Sequence, residues 1–126
     1  MILDKFRLDG KVAVVIGASR GLGQGMARAL AEAGANLVPV ARTLTSLEKL
    51  AEEVRAMGRT CLPMRIDVSN LSEVRSLMDT VVKRLGRIDI LVNSQGTQVR
   101  KPALEMSEQD WDTLMAVNLK SVYFAC

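Results

Sequence analysis

The sequence predicts a doubly wound α/β fold, with four parallel strands in the spatial order 3-2-1-4 and helices on both faces. Three observations predict it. Apolar runs of strand length recur along the chain, stretches with helical spacing alternate with them, and glycines stand where three of those helices should stop.

Lys11 to Ile16, KVAVVI, is β-branched, continuously apolar and ends at Gly17, so it reads as a strand buried on both faces. Leu22 to Ala33 switches to helical spacing, with Leu22, Met26, Ala29, Leu30 and Ala33 on one side and Gly34 as the stop. Asn36 to Ala41, NLVPVA, is the second strand, although Pro39 cannot donate to a ladder. Leu44 to Met57 is the second helix, with Leu47, Leu50, Ala51 and Val54 inward and Gly58 closing it. Thr60 to Val68, TCLPMRIDV, is the third strand and carries Pro63; Leu71 to Leu85 is the third helix, stopped by Gly86. Ile88 to Ser94 is the fourth strand, followed by a polar loop containing Pro102. Ser107 is a suitable N-cap for a last helix that carries Trp111, Leu114, Met115, Leu119 and Val122, with Trp111 read as a packing residue.

A chain of 126 residues suits one domain, and 48% hydrophobic with 25% charged residues excludes a disordered or disulfide-framework class. The net charge of +3 is spread along the sequence without a basic run interleaved with aromatics, so nucleic acid is not an expected partner. The N-terminal MILDKFRLDGK is charged and no segment has membrane-spanning length, so neither export nor insertion is expected. Cys61 and Cys126 read as two reduced thiols, which makes the cytoplasm the expected compartment. The chain has no histidine, which removes imidazole metal sites and histidine general bases together; no metal site is expected.

The candidate for chemistry is VVIGASRGLGQG, Val14 to Gly25, where a buried strand turns into a helix. Such a turn aims backbone N–H groups and the positive end of a helix dipole at one point, where phosphate binds. The spacing Gly17-x-x-x-Gly21-x-Gly23 is neither the Walker type nor strictly Gly-x-Gly-x-x-Gly. Gly17 is expected to make the tight exit from the strand, Gly21 to let a diphosphate approach, and Gly23 to permit close helix packing. Gly17, Ser19, Arg20, Gly21, Leu22 and Gly23 are the candidate phosphate loop; the alternative is a βα turn with no ligand. A dinucleotide site also needs an acid for a ribose hydroxyl or a base for a 2′-phosphate after the second strand. The chain places Arg42 there and Arg20 in the loop, which favours NADP(H) over NAD(H), unless both are ordinary solvated side chains.

Four ordered landmarks carry a resemblance over the whole chain: GASRGLG; Asp67 and Val68; NSQG at Asn93 to Gly96; and WDTLMAVNLKSVYF, which contains Asn118. Together they resemble the N-terminal half of the classical short-chain dehydrogenase/reductase family. The resemblance implies a partial Rossmann fold, with residues 1–126 as the dinucleotide-binding part of a single domain. It implies hydride transfer between a nicotinamide and a carbinol or carbonyl carbon of a small molecule, with Tyr as acid/base, Lys lowering its pKa, Ser holding the substrate oxygen and Asn118 holding a relay water. Asp67 is then the acid that holds the adenine amino group, although it could instead cap the next helix, and Asn93 and Gly96 belong to the cofactor site. The Ser and the Tyr-x-x-x-Lys pair are expected beyond position 126; Tyr123 is not that tyrosine, so these residues alone are expected to be inactive. The full-length form is expected to be a homotetramer, as relatives commonly are.

This sequence departs from the family in Ile16, where threonine is common, and in Ser94 and Gln95, which replace Asn and Ala. GLGQGMA with RKPALEMSEQDWD is similar, within the family, to the dehydrogenases of gluconate and ketodeoxygluconate. That narrower likeness implies a sugar-acid substrate, with Arg100, and less surely Lys101, pairing with its carboxylate. The alternative function is a non-catalytic NADP(H)-binding or interaction module, complete at this length.

Overall fold

The computed structural model describes residues 1–126. Five consecutive apolar residues leave no polar face to Val12–Ile16, and this strand, β1, is buried throughout at the centre of the sheet. It pairs in parallel with β2, Asn36–Ala41, on one side and with β4, Ile90–Asn93, on the other. β3, Met64–Arg65, adds to the far edge of β2, giving the order β3-β2-β1-β4 that the sequence predicts. Side chains alternate across the strands, so the sheet has two cores. Ala13, Val15 and Leu37 face α1, Gly21–Glu32, and α2, Glu48–Ala56. Val12, Val14, Ile16, Val38 and Val40 face α3, Leu71–Leu85.

Helix α1 buries a face rotated from the predicted one, which keeps Leu30 half-buried against the core. Gly23, Ala27 and Ala31 pack on the sheet, while Leu22 is 84% exposed and Met26 is also exposed. The reason is the close approach of the helix: only a ridge of the smallest residues at four-residue spacing fits between helix and strands. Arg28 on α1 then reaches Glu53 on α2 through a 2.6 Å ion pair. Leu44–Leu47 forms a 3₁₀ turn before α2 instead of its first helical turn, yet Leu47, Leu50, Ala51 and Val54 are buried as expected.

The third strand is shorter than Thr60 to Val68. Besides its two residues there is only an isolated bridge between Leu37 and Cys61. Leu37 donates to Thr60 and accepts from Leu62, and Ala41 accepts from Ile66, so Pro39 between them turns its missing donor toward β3. The ladder breaks at that point. Pro63, next to the inward-bonding Leu62, faces the open edge, where its lack of a donor costs nothing.

α3 has the predicted limits: the Asn70 side chain accepts from the Ser72 N–H at 3.1 Å, and Gly86 ends the helix at φ 81°. The last helix is divided. α4, Glu108–Met115, begins at Ser107 with a reciprocal capping box to Asp110. A π turn, Ala116–Lys120, interrupts it before α5, Ser121–Ala125. Trp111, expected to pack, is 59% exposed, and no α4 residue is buried; Ser121 and Ala125 of α5 are. No helix is long and apolar enough to cross a membrane.

Both cysteines are free, Cys61 buried and Cys126 exposed. Burial raises the Cys61 thiol to about 11, so its reactive thiolate is suppressed at neutral pH. A maleimide at pH 7 is therefore expected to label Cys126 rapidly and Cys61 only when the chain unfolds; fast labelling of both thiols in native buffer would contradict the burial of Cys61.

Candidate functional site

A cleft of about 740 Å³ opens at the carboxyl ends of the strands, beside the point where the chain, having run outward from β1 to β3, returns as β4 on the other side. Open α/β sheets bind ligands at such switch points. One wall is the turn from β1 into α1. Gly17 leaves the strand at φ 85°, and a Cβ there would stand 2.5 Å from the Ser94 carbonyl oxygen at the end of β4. A Cβ on Gly23 would collide with the Gly17 carbonyl oxygen, whereas Gly21, at φ 59°, has open space in front of it. Gly17 thus makes the tight exit, Gly23 the close packing, and Gly21 leaves open space in front of the turn.

The N–H groups of Gly17 and Ala18 are spent on the Val40 carbonyl, at 2.9 and 3.1 Å. Past them the N–H groups up to Gly23 have no acceptor, while the Ser19 and Arg20 carbonyls accept from the Gln24 side chain and backbone. Arg20 is the N-cap of α1 in extended conformation and makes no side-chain cap bond, and the first turn holds no acidic residue. α3 and α4 are capped by Asn70 and Ser107, but the first-turn amides of α1 face the cleft without a side-chain acceptor. Free amides at a helix N-terminus are an arrangement that can receive an anion.

Gly17, Ser19, Arg20, Gly21, Leu22, Gly23, Arg42, Asp67, Val68 and Gly96 all line this cleft, so the fold gathers ten of the sequence candidates in one place. Asp67 does not cap α3, a role taken by Asn70. One of its carboxylate oxygens accepts from the Ser69 N–H and O–H, at 3.0 and 2.7 Å. Those bonds, and then the charges of Arg42 and Arg65, hold its carboxyl below the ordinary range, so it is an ionised acceptor at neutral pH.

Three candidates stand outside the lining. Asn93 is half-buried behind it, accepting from Gln95 Nε2 at 3.1 Å and donating to Cys126 Sγ at 3.6 Å. Asn118 lies in the π turn and clasps the backbone of Thr97, accepting from its N–H at 2.8 Å and donating to its carbonyl at 2.9 Å. Arg100 is on the exposed loop after β4 and enters no ion pair. Lys101 is committed elsewhere: its ammonium lies 2.7 Å from Asp110, and with the Ser107 N–H it draws that carboxyl down to about 2. Gln95 also lines the cleft, with its side-chain amide folded back toward Asn93 and Ser121.

The opposite wall went unread in the sequence. Gln109, Asp112, Thr113, Ala116 and Val117 of α4 and the π turn face the cleft. Their spacing traces one helix face, but a polar face reads as solvent-facing until the partner wall is known.

The fold and this cleft define a doubly wound α/β protein with an open cleft at its switch point. The family model described as short chain dehydrogenase matches residues 11–126, and the chain belongs to that family. It is 46% identical over 124 residues to 2-dehydro-3-deoxy-D-gluconate 5-dehydrogenase of Escherichia coli K12, covering 98% of this chain and 48% of that protein. Against D-threitol dehydrogenase of Mycolicibacterium smegmatis the identity is 40% over 121 residues, covering 96% and 46%. A gluconate 5-dehydrogenase from Burkholderia cenocepacia, solved in complex with NADP and tartrate, superposes with a TM-score of 0.89 at 41% identity, over 99% of this chain and 49% of that one. The chain spans about half the length of the curated relatives it matches.

The two inner glycines should respond differently to a methyl group. Gly23→Ala is expected to cost about 3 kcal/mol in urea unfolding, because backbone must move. Gly21→Ala should cost about 1 kcal/mol, from its left-handed conformation alone. Equal costs would mean that the Gly17–Gly23 contact is not tight.

Proposed function

We propose that the cleft holds NADP(H) and that this chain is the dinucleotide-binding part of an oxidoreductase moving hydride between the nicotinamide and a carbinol or carbonyl carbon of a small molecule. The observation that carries this is the uncapped N-terminus of α1, open beside Gly21 and flanked by Arg20 and Arg42. The cofactor, when bound, supplies the two-electron chemistry; the chain's own residues hold and orient it. The amides of the α1 first turn and the positive end of the helix dipole neutralise a diphosphate. Arg20 and Arg42 offer two guanidinium groups to a 2′-phosphate, and that pair favours NADP(H) over NAD(H). Ionised Asp67 accepts from an adenine amino group, beside the apolar surface of Val68 and Val117. Asn93 and Gly96 complete the cofactor side, and Asn118, fixed by its clasp on Thr97, is the relay asparagine.

A sugar acid is the substrate class we favour, with Arg100 as the unpaired cation for its carboxylate. Relatives with the names given above support that class. The whole protein's reaction also needs the serine and the Tyr-x-x-x-Lys pair, which the family resemblance sets beyond position 126. We further propose a cytoplasmic homotetramer. Two free thiols fit a reducing compartment, and Met115, Leu119, Tyr123 and Phe124 form an exposed apolar face suited to a subunit contact.

Arg42→Asp tests the cofactor assignment. Losing one charge-assisted contact should weaken NADPH binding roughly 10- to 100-fold in calorimetric titration of the chain, with NADH affinity unchanged or improved. Unchanged NADPH affinity would remove the 2′-phosphate assignment.

A further inference from the structure

Gln95 stands where the family's motif has alanine, and its side chain carries an anomaly. Its Nε2 donates twice, to Asn93 Oδ1 at 3.1 Å and to Ser121 Oγ at 3.2 Å, while its Oε1 is sealed from solvent and has no partner. Both neighbours accept from it: the Ser121 hydroxyl proton is already given to the Val117 carbonyl at 2.5 Å. With Asn93 and Ser121 so oriented, the NH₂ faces them and the oxygen is left over. A buried acceptor without a donor costs about 1–3 kcal/mol, so a methionine or leucine at this position would serve packing better.

What the amide does is join two elements at the break in the last helix. Ser121 is fully buried at the first position of α5, and its hydroxyl bonds back to Val117, inside the π turn that carries Asn118. Two residues along the loop from Gln95, the backbone of Thr97 is clasped by Asn118. Gln95–Ser121 and Thr97–Asn118 are consecutive rungs, from alternate loop residues to helix positions three apart. Gly96 lies between them, where a Cβ would come 3.6 Å from Asn118 Oδ1.

We propose that Gln95 is a positioning residue: it pins Ser121, and through the Val117 carbonyl it fixes the π turn so that Asn118 meets Thr97. It thereby holds the cleft-lining loop of Gln95, Gly96 and Thr97 against Ala116 and Val117, in the wall opposite the glycine turn. This goes beyond the cofactor assignment, resting on it only in giving Asn118 a chemical role, and its test needs no cofactor.

The test is amide hydrogen exchange by NMR on the 126-residue chain, with Gln95→Met and Ser121→Ala. Each variant is expected to speed exchange of the Thr97 N–H about tenfold, the effect of weakening one hydrogen bond, and to move the Asn118 side-chain amide signals. Amides of α3 should exchange as before. Gln95→Met should hold or raise the melting midpoint, because the orphaned oxygen is gone, whereas a bridge serving stability alone would lower it. The double variant should be no worse at Thr97 than either single one. Unaltered Thr97 exchange in both variants, equal acceleration across α3, or additive effects would each overturn the proposal.

Discussion

Gly23 meets the Gly17 carbonyl with no room for a Cβ, and the rest of the site hangs from that contact. It sets how near α1 lies to the sheet, which is why the buried ridge of that helix is Gly23, Ala27 and Ala31 while Leu22 and Met26 face out. It also fixes where the first-turn amides of α1 point. With the preceding two N–H groups tied to Val40, the free N–H groups begin at the mouth of the cleft.

The second wall depends on a different device. The sheet ends at β4, and the loop that follows is held to the divided last helix by side-chain amides: Gln95 on Ser121 and Asn118 on Thr97. The π turn makes room for this. An uninterrupted α-helix would present its residues in a different rotation after Met115, and π turns of this kind concentrate at functional sites. One wall is thus set by close backbone contact at Gly17 and Gly23, the other by two amides that cross-link it. Between them the charges are arranged by sign, with Arg20 and Arg42 near the glycine turn and Asp67 held ionised by Ser69.

Much of this was legible in the sequence, for definite reasons. α3 keeps its predicted limits because a 3.6-residue apolar period and a terminal glycine agree with each other. β1 was unmistakable as a continuous β-branched run, and the strand order followed from alternation and handedness. The buried side of α1 was misjudged because apolar periodicity assumes that large residues go inward, which fails where the backbone itself is the contact. β3 lost most of its length to Pro39, whose position was visible but whose facing toward β3 depends on register. The division of the last helix had no glycine or proline to announce it. Gln109, Asp112 and Thr113 were invisible as cleft residues, since a polar helix face becomes a wall only when another element stands opposite.

The central claim is that backbone amides at the start of α1 receive the ligand's phosphates. Amide chemical shifts of the ¹⁵N-labelled chain, followed while NADP⁺ is added, test it most directly. The account predicts the largest changes at Arg20, Gly21, Leu22 and Gly23, followed by Asp67 and Val68. Saturable binding that leaves those four amides unmoved would contradict it.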